Sequence, residues 1–352
     1  METTLRRPNL LKRVASLIAP PEVLEFWISR INPLWSLEHA RARVVSREIA
    51  ADGATALLLK PNRHFRGFRA GQHVNLKIEI DGVLHTRSYS FASAPRADGM
   101  IRLVVRAVDG GKVSEYLQTI PVGTVIALSA AYGGLRMPSD PDRPTVMLAA
   151  GSGITPMLSL IDQESSSGFS RPIHLLYWAR DSQQMIDRDA LQELSSSILR
   201  VNFIETSTNG RINEAQLREV LSSKPNILAC GSHGFVEAAR VLTEGKCASF
   251  QSESFTPPNT AVENEVDGEA EVTLLRSGKT ITVPRNQSLL EALEANGLKP
   301  AHGCRMGICN TCSCQKSNGT ARNLLDGKLH REVSQSIRIC VHAAQSDLTL
   351  DL

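Results

Sequence analysis

Four cysteines set the chemistry to be explained. Cys304-Arg-Met-Gly-Ile-Cys309-Asn-Thr-Cys312 spaces three thiols as C-x4-C-x2-C, and Cys340 follows 28 positions after Cys312. Two iron ions need four thiolates, two per iron. One tight loop can supply three of them and a distant strand end the fourth, so the spacing points to a [2Fe–2S] cluster. Gly307 lets the backbone curl around such a cluster, and its neighbouring amides can donate to sulfur and stabilise the reduced form. A zinc site is the competing reading, but zinc ligands usually come as paired C-x2-C elements. Cys314 fits no ligand position and reads as a bystander, close enough to be an accidental oxidation site. The seven cysteines are an odd number, and four of them fall between Cys304 and Cys314. That crowding argues against a disulfide framework and for a metal site in a reducing compartment.

Two glycine-rich segments have the form of phosphate cradles. Gly110-Gly111-Lys112-Val113-Ser114 follows an apolar strand and opens a helix. Successive amides at a helix start, with the Ser114 hydroxyl, would hold a pyrophosphate. Ala149-Ala150-Gly151-Ser152-Gly153-Ile154-Thr155-Pro156 also lies between an apolar strand and a helix. There Gly151 and Gly153 would let the backbone approach dinucleotide phosphates beside Thr155, and Pro156 suits the first helical turn. The plainer reading of either segment is a simple glycine turn.

Composition narrows the class. Hydrophobic residues at 42% and charged residues at 21% describe a globular chain, not a disordered one. A net charge of +3 is too small to suggest nucleic-acid binding, and no apolar run is long enough for a transmembrane span. The longest apolar stretch near the N-terminus, Val14–Ala19, is interrupted by Ser16 and too short for a secretory signal, so the expected location is the cytoplasm. No internal repeat is visible.

The elements that must position these residues fall into blocks. Residues 1–38 read as a helical extension. Leu10, Leu11, Val14, Leu17 and Ile18 follow helical spacing beside Lys12 and Arg13, and Pro20 and Pro21 stop that helix. A second short helix is expected from Glu22 to Ile31, with Val23, Leu24, Trp27 and Ile31 on one side. These helices either pack on the next domain or form a basic amphipathic surface for a peripheral membrane contact or a membrane-bound partner. Residues 39–140 show short strands separated by Gly and Pro, the pattern of an antiparallel β-barrel. Residues 141–255 alternate apolar strands with helices, the pattern of an α/β domain with a parallel sheet. Residues 256–269 are polar and aperiodic and read as a linker. Residues 270–352 form a small separate domain, opening with a hairpin around Ser277-Gly278 and a helix at Ser288–Ala295 capped by Gly297. The fold class is thus multidomain.

These motifs resemble the ferredoxin–NADP reductase superfamily, in its oxygenase-reductase branch with a fused ferredoxin. Residues 270–352 resemble a complete plant-type ferredoxin domain, which implies an α+β β-grasp fold with Cys304, Cys309, Cys312 and Cys340 as cluster ligands. With ten Lys/Arg against seven Asp/Glu, this segment lacks the acidic face of free plant ferredoxins. Arg87-Ser88-Tyr89-Ser90 resembles the R-x-Y-S flavin motif. That implies Arg87 on a phosphate, Tyr89 flat against the flavin, and Ser90 near flavin N5. The segment Gly111, Lys112, Val113, Ser114 resembles the G-x-x-S pyrophosphate site, which favours FAD over FMN. Gly151–Pro156 resembles the G-[ST]-G-I-x-P nicotinamide segment. Cys230-Gly231-Ser232 resembles C-G-P, with Ser232 replacing Pro, and implies that Cys230 helps align the nicotinamide. Glu253-Ser254-Phe255 resembles the closing E-x-F. For the 2′-phosphate of NADPH the candidates are Arg180, Ser207 and Arg211, with Asp181 in opposition. Asn32-Pro33-Leu34-Trp35-Ser36-Leu37 resembles bacterial reductases that serve acyl-CoA or fatty-acid desaturases.

Electron counting gives the expected function. Nicotinamide delivers two electrons as hydride, a [2Fe–2S] cluster accepts one at a time, and FAD must split the pair. The resemblance implies transfer from NADPH, or NADH, to a terminal oxygenase or desaturase, which could be membrane-bound. Two alternatives stay open: an NADH-linked reductase of an aromatic-ring dioxygenase or other monooxygenase, and a non-enzymatic redox sensor that needs no hydride site.

Overall fold

The computed structural model describes residues 20–256, 268–307, 309–325 and 327–352. The helix expected before Pro20 and most of the 256–269 linker lie outside these residues. Among those described, no helix is long and apolar enough to cross a membrane.

Helix α1 (Pro21–Ile31) starts where expected, with proline in its first turn, where a missing N–H costs nothing. Its orientation corrects the expected packing on the next domain. Its ties to the barrel are largely polar: Glu25 reaches Arg41 at 2.8 Å and the Leu37 amide at 2.7 Å, and Arg43 donates to Asn32 Oδ1 at its end at 2.9 Å, while Leu24 and Ile28 are half-buried. Val23, Trp27 and Ile31 face outward, with Trp27 at 62% and Ile31 at 74% exposure. The helix turned its polar Glu25 inward because that carboxylate finds a guanidinium and an amide there.

Six antiparallel strands follow: β1 (Arg41–Ala51), β2 (Ala54–Pro61), β3 (His73–Ile80), β4 (Val83–Ser90), β5 (Ile101–Arg106) and β6 (Val125–Leu128). Their order is β4-β3-β6-β1-β2-β5, and a bridge between Phe91 and Leu103 closes the ring. Alternate residues such as Val44, Leu57, Leu76, Leu103 and Ile126 fill the barrel. Helix α2 (Lys112–Thr119) plugs it with Val113 and Leu117.

The second sheet is parallel: β7 (Thr145–Ala150), β8 (Ile173–Ala179), β9 (Leu199–Glu205), β10 (Asn226–Gly231) and β11 (Ser249–Ser254), in the order β11-β10-β7-β8-β9. Helices α3 (Ile154–Ser166), α4 (Arg188–Leu194), α5 (Thr206–Asn209), α6 (Glu214–Leu221) and α7 (His233–Thr243) connect the strands. Strand order reverses between β7 and β10, the switch point where open α/β sheets bind ligands at the carboxyl ends of their strands. Strand β11 is absent from the apolar pattern because it is an edge strand of mostly polar residues.

The C-terminal part carries β12 (Glu269–Leu274), β13 (Lys279–Pro284), helix α8 (Leu289–Ala295), β14 (Ser313–Asn318), β15 (Ala321–Asn323), β16 (Leu329–His330), β17 (Gln335–Arg338), β18 (His342–Ala344) and β19 (Leu348–Leu350). The main sheet is mixed, β13-β12-β19-β14-β17, with β12 parallel to β19, and α8 packs Leu289, Leu290 and Leu293 into its core. Ser288 caps α8 and Gly297 leaves it at φ +77°, as the sequence pattern requires.

Candidate active site

The parallel strands β7 and β10 end side by side, and their loops touch. Gly151 sits at φ +55°, a conformation that favours glycine. A β-carbon on Gly153 would collide with the Cys230 carbonyl group and lie 2.7 Å from the Gly231 amide nitrogen. The Gly-Ser-Gly loop is therefore glycine-rich first because two backbones meet there. Thr155 is buried and spends its hydroxyl on the Ser152 carbonyl, at 2.9 Å. Ser232, which stands where the motif has proline, preserves the local turn. Its φ of −67° is the angle proline would impose, and its side chain caps α7 by accepting from the Phe235 amide.

Cys230 is fully buried in the core cluster behind this loop. Burial, reinforced by Glu253, pushes its thiol well above the usual cysteine value, so it stays a neutral thiol at neutral pH. Glu253 is buried on the neighbouring strand, in register with Cys230.

A cavity of about 640 Å³ opens where the three parts of the chain meet. The barrel contributes Arg87, Ser88, Tyr89 and Ser90 from the end of β4, with His73 and His85. The start of α2 adds Gly111, Lys112, Val113 and Ser114, the nucleotide domain adds Ser152, Thr155 and Phe255, and the cluster loop adds Cys304, Arg305 and Met306. Phe255 is held by its amide, which donates to the Gly231 carbonyl at 2.8 Å.

The cavity suits a dinucleotide flavin. A β-carbon on Gly111 would fill the cradle at the helix start, 2.5 Å from Ser114 Oγ and 2.7 Å from the Val108 carbonyl oxygen. No side chain caps that helix, which leaves its first amides for an anion. Ser114 braces the cradle from within, donating to the Gly111 carbonyl at 2.9 Å and accepting from the Val108 amide at 3.1 Å. His73 is buried against the cavity, and neither of its ring nitrogens has a hydrogen-bond partner among the described residues.

The four predicted cluster thiols gather as two pairs. Cys304 and Cys309 are linked by amides: Cys304 N donates to Cys309 Sγ at 3.2 Å and Cys309 N to Cys304 Sγ at 3.3 Å. The Sγ atoms of Cys312 and Cys340 stand 3.1 Å apart. Met306 N donates to Cys304 Sγ and Gly307 N to Cys340 Sγ. Hydrogen bonding from Cys304, then from Thr311, pulls the Cys309 thiol down to about 4, towards the thiolate that iron requires. The four thiols thus stand two and two. Two thiols for each of two irons fit that arrangement. The loop curls through left-handed Arg305, Gly307 and Asn310. Arg305 is locked there by a bidentate pair with Glu294 of α8, at 2.8 and 2.5 Å. Cys314 points into the domain core, where burial pushes its thiol up to about 12.

Arg180 and Ser207 meet at the ends of β8 and β9, where the Ser207 amide donates to the Arg180 carbonyl at 3.1 Å; both residues and Arg211 are exposed. Asp181 turns its carboxylate to the Gln184 amide and so caps the next turn. Sequence reasoning missed His73, Asn75 and Tyr132. They lie on strands or bridges and carry no motif beyond the Gly71-Gln72 that precedes His73.

Three family models match in order: an oxidoreductase FAD-binding domain over residues 42–137, an oxidoreductase NAD-binding domain over 147–241, and a 2Fe-2S iron-sulfur cluster binding domain over 272–345. An NADPH oxidoreductase of Mycobacterium tuberculosis is 29% identical, covering 98% of this chain and 92% of its own. The ferredoxin reductase component of a 3-ketosteroid-9-alpha-monooxygenase from the same species is 31% identical over 72% of this chain and 75% of its own. Among solved structures, phthalate dioxygenase reductase shares the fold, with a TM-score of 0.60 and 23% identity over 89% of this chain and 97% of that one. FAD, a [2Fe–2S] cluster and NAD(P)H are therefore the groups with which this oxidoreductase works, and the chain belongs to the ferredoxin–NADP reductase superfamily, among the members that carry a fused C-terminal [2Fe–2S] domain.

Proposed function

We propose that this chain is the reductase of a two-protein oxygenase or desaturase system, taking hydride from NADPH and releasing single electrons from its cluster to a separate iron protein. The observation that carries this reading is the shared cavity, with the flavin motif on one wall, the nicotinamide loop on a second and the cluster loop on a third. When bound, FAD supplies a ring that accepts hydride and the cluster a centre that accepts one electron. Arg87 and the amides of Lys112 and Val113 hold the pyrophosphate, with Gly111, its own amide tied to the Val108 carbonyl at 2.7 Å, leaving room for it. Ser88 and Tyr89 shape the bed of the flavin ring, and Ser90 offers its hydroxyl at the hydride-accepting side. Gly151, Gly153 and Thr155 seat the nicotinamide dinucleotide. Cys230 and Glu253 support that seat from behind, and Phe255 covers the ring. Cys304, Cys309, Cys312 and Cys340 hold the iron.

NADPH is favoured by the exposed Arg180, Ser207 and Arg211 around the ends of β8 and β9. The acceptor is an acyl-chain desaturase on the strength of the Asn32–Leu37 segment. Phe26, Trp27, Ile31 and Trp35 stand exposed beside it, a surface suited to a protein or membrane partner. One relative favours a second acceptor class. A carnitine monooxygenase reductase subunit of Escherichia coli is 26% identical over 94% of this chain. Stopped-flow reduction with NADPH and NADH tests the donor, because flavin and cluster bleach in sequence. Coupled turnover with an acyl-CoA desaturase and with a ring-hydroxylating or quaternary-amine oxygenase tests the acceptor. Product with the oxygenase alone would replace the desaturase reading.

A further inference from the structure

The cluster loop rests on the barrel at a defined point. Asn75, buried on β3, accepts at its Oδ1 from both Ser88 Oγ and Tyr132 OH, each at 2.5 Å, and its backbone amide donates to Ser129 Oγ at 2.9 Å. Two hydroxyl donors on one oxygen fix the orientation of the amide group. Its nitrogen end faces the cluster loop. A β-carbon on Gly303 would lie 3.3 Å from Asn75 Nδ2, 3.1 Å from Thr311 Oγ1 and 2.8 Å from Cys309 Sγ. Gly303 therefore has no room to spare between the barrel and a cluster ligand. Asn75 and Tyr132 lie outside the cavity lining, whereas Ser88 belongs to it.

We propose that Asn75 is a positioning residue for internal electron transfer: with Ser88 and Tyr132 it forms a seat for Gly303 that fixes how closely the cluster loop approaches the flavin cavity. The proposal rests on the functional reading above. The step it governs is simple in balance. The reduced flavin loses one electron, the oxidised cluster gains it, and no bond or proton changes at the seat. The two parts are covalently joined, so their effective concentration is high and a small contact can decide the docked pose. An amide suits this position. A carboxylate there would still accept from Ser88 and Tyr132, but would set a negative charge against the Cys309 sulfur.

The test uses the full chain loaded with FAD and cluster, as wild type, Asn75→Asp, Asn75→Ala and Tyr132→Phe. Rapid mixing with NADPH resolves flavin reduction from the later reduction of the cluster. Electron paramagnetic resonance of the reduced cluster and solution X-ray scattering accompany it. Asn75→Asp is expected to slow cluster reduction about tenfold or more, since small misplacements weigh heavily on geometry-dependent steps. Flavin reduction should stay as in wild type in every variant and the cluster spectrum should do so in Asn75→Ala and Tyr132→Phe, while the radius of gyration should rise. Asn75→Ala and Tyr132→Phe should slow the same phase, Tyr132→Phe the least. Wild-type cluster reduction in Asn75→Asp and Asn75→Ala would overturn the proposal. Equal slowing of both phases in every variant would overturn it too, as the mark of general damage to the barrel. Absence of flavin reduction in the wild type would instead overturn the functional reading beneath it.

Discussion

His73 Nδ1 lies 3.4 Å from Glu253 Oε2, with both side chains buried. One residue comes from the barrel strand β3 and the other from the nucleotide strand β11, so this contact spans two domains. The His73 ring also meets Tyr132 edge-on, with centroids 4.4 Å apart. A β-carbon on Gly133 would lie 2.9 Å from His73 Nδ1, which leaves the ring little freedom.

Because the two groups touch, their removal should not be additive. His73→Ala and Glu253→Ala are each expected to cost about 1–3 kcal/mol, because each leaves the other buried polar group without the facing group 3.4 Å away. The double variant should lose less than the sum. Urea unfolding of the FAD-loaded protein measures all four corners of the cycle; additive losses would mean the pair is only a coincidence of packing.

Gly153→Ala places a methyl group against the Cys230 carbonyl, and neither backbone can give way without moving a central strand. The expected cost is about 1–3 kcal/mol. Flavin reduction by NADPH should be impaired well before FAD is lost. Thermal melting and the FAD content of the purified variant decide this, and a variant with wild-type stability would show that the loops can part.

Replacing Cys304, Cys309, Cys312 or Cys340 by serine should remove the cluster's visible absorption and abolish cytochrome c reduction while ferricyanide reduction persists. Cys314→Ala should keep all three and lose about 1 kcal/mol through its vacated core position. A Cys314→Ala protein that keeps the flavin but lacks the cluster's absorption would move it into the ligand set.

Arg180→Ala and Arg211→Ala are expected to raise KM for NADPH about tenfold each and to leave KM for NADH unchanged, since a charge-assisted hydrogen bond contributes about 1.5–3 kcal/mol. Steady-state kinetics with both donors reads this directly. Equal effects on the two coenzymes would place the arginines away from the 2′-phosphate.

Where the site could be read from sequence, the reason was local. Cluster spacing is legible because three ligands share one loop, and a strand, a Gly-Ser-Gly turn and a helix carry their geometry within a dozen residues. His73, Asn75 and Tyr132 could not be read this way. Their neighbours Val74 and Leu76 fill the barrel as any alternating strand would. The opposite face is buried by the cluster loop and by β11, whose residues lie far along the chain. Helix α1 misled for a related reason. Its apolar residues predict an inward face, yet the tertiary contact on offer was a salt bridge to Arg41. Ser232 shows the reverse case, where a departure from a motif kept the backbone angle that mattered.

The wall that Cys304, Arg305 and Met306 lend to the flavin cavity also bears on waste. A reduced flavin open to solvent surrenders electrons to dioxygen and makes hydrogen peroxide. With the iron loop closing one side, the productive exit for electrons doubles as a shield against that leak. Loosening the loop, as in Arg305→Ala, should raise peroxide formed per NADPH oxidised when no acceptor is present, so thrift and conduction in this molecule would fail together.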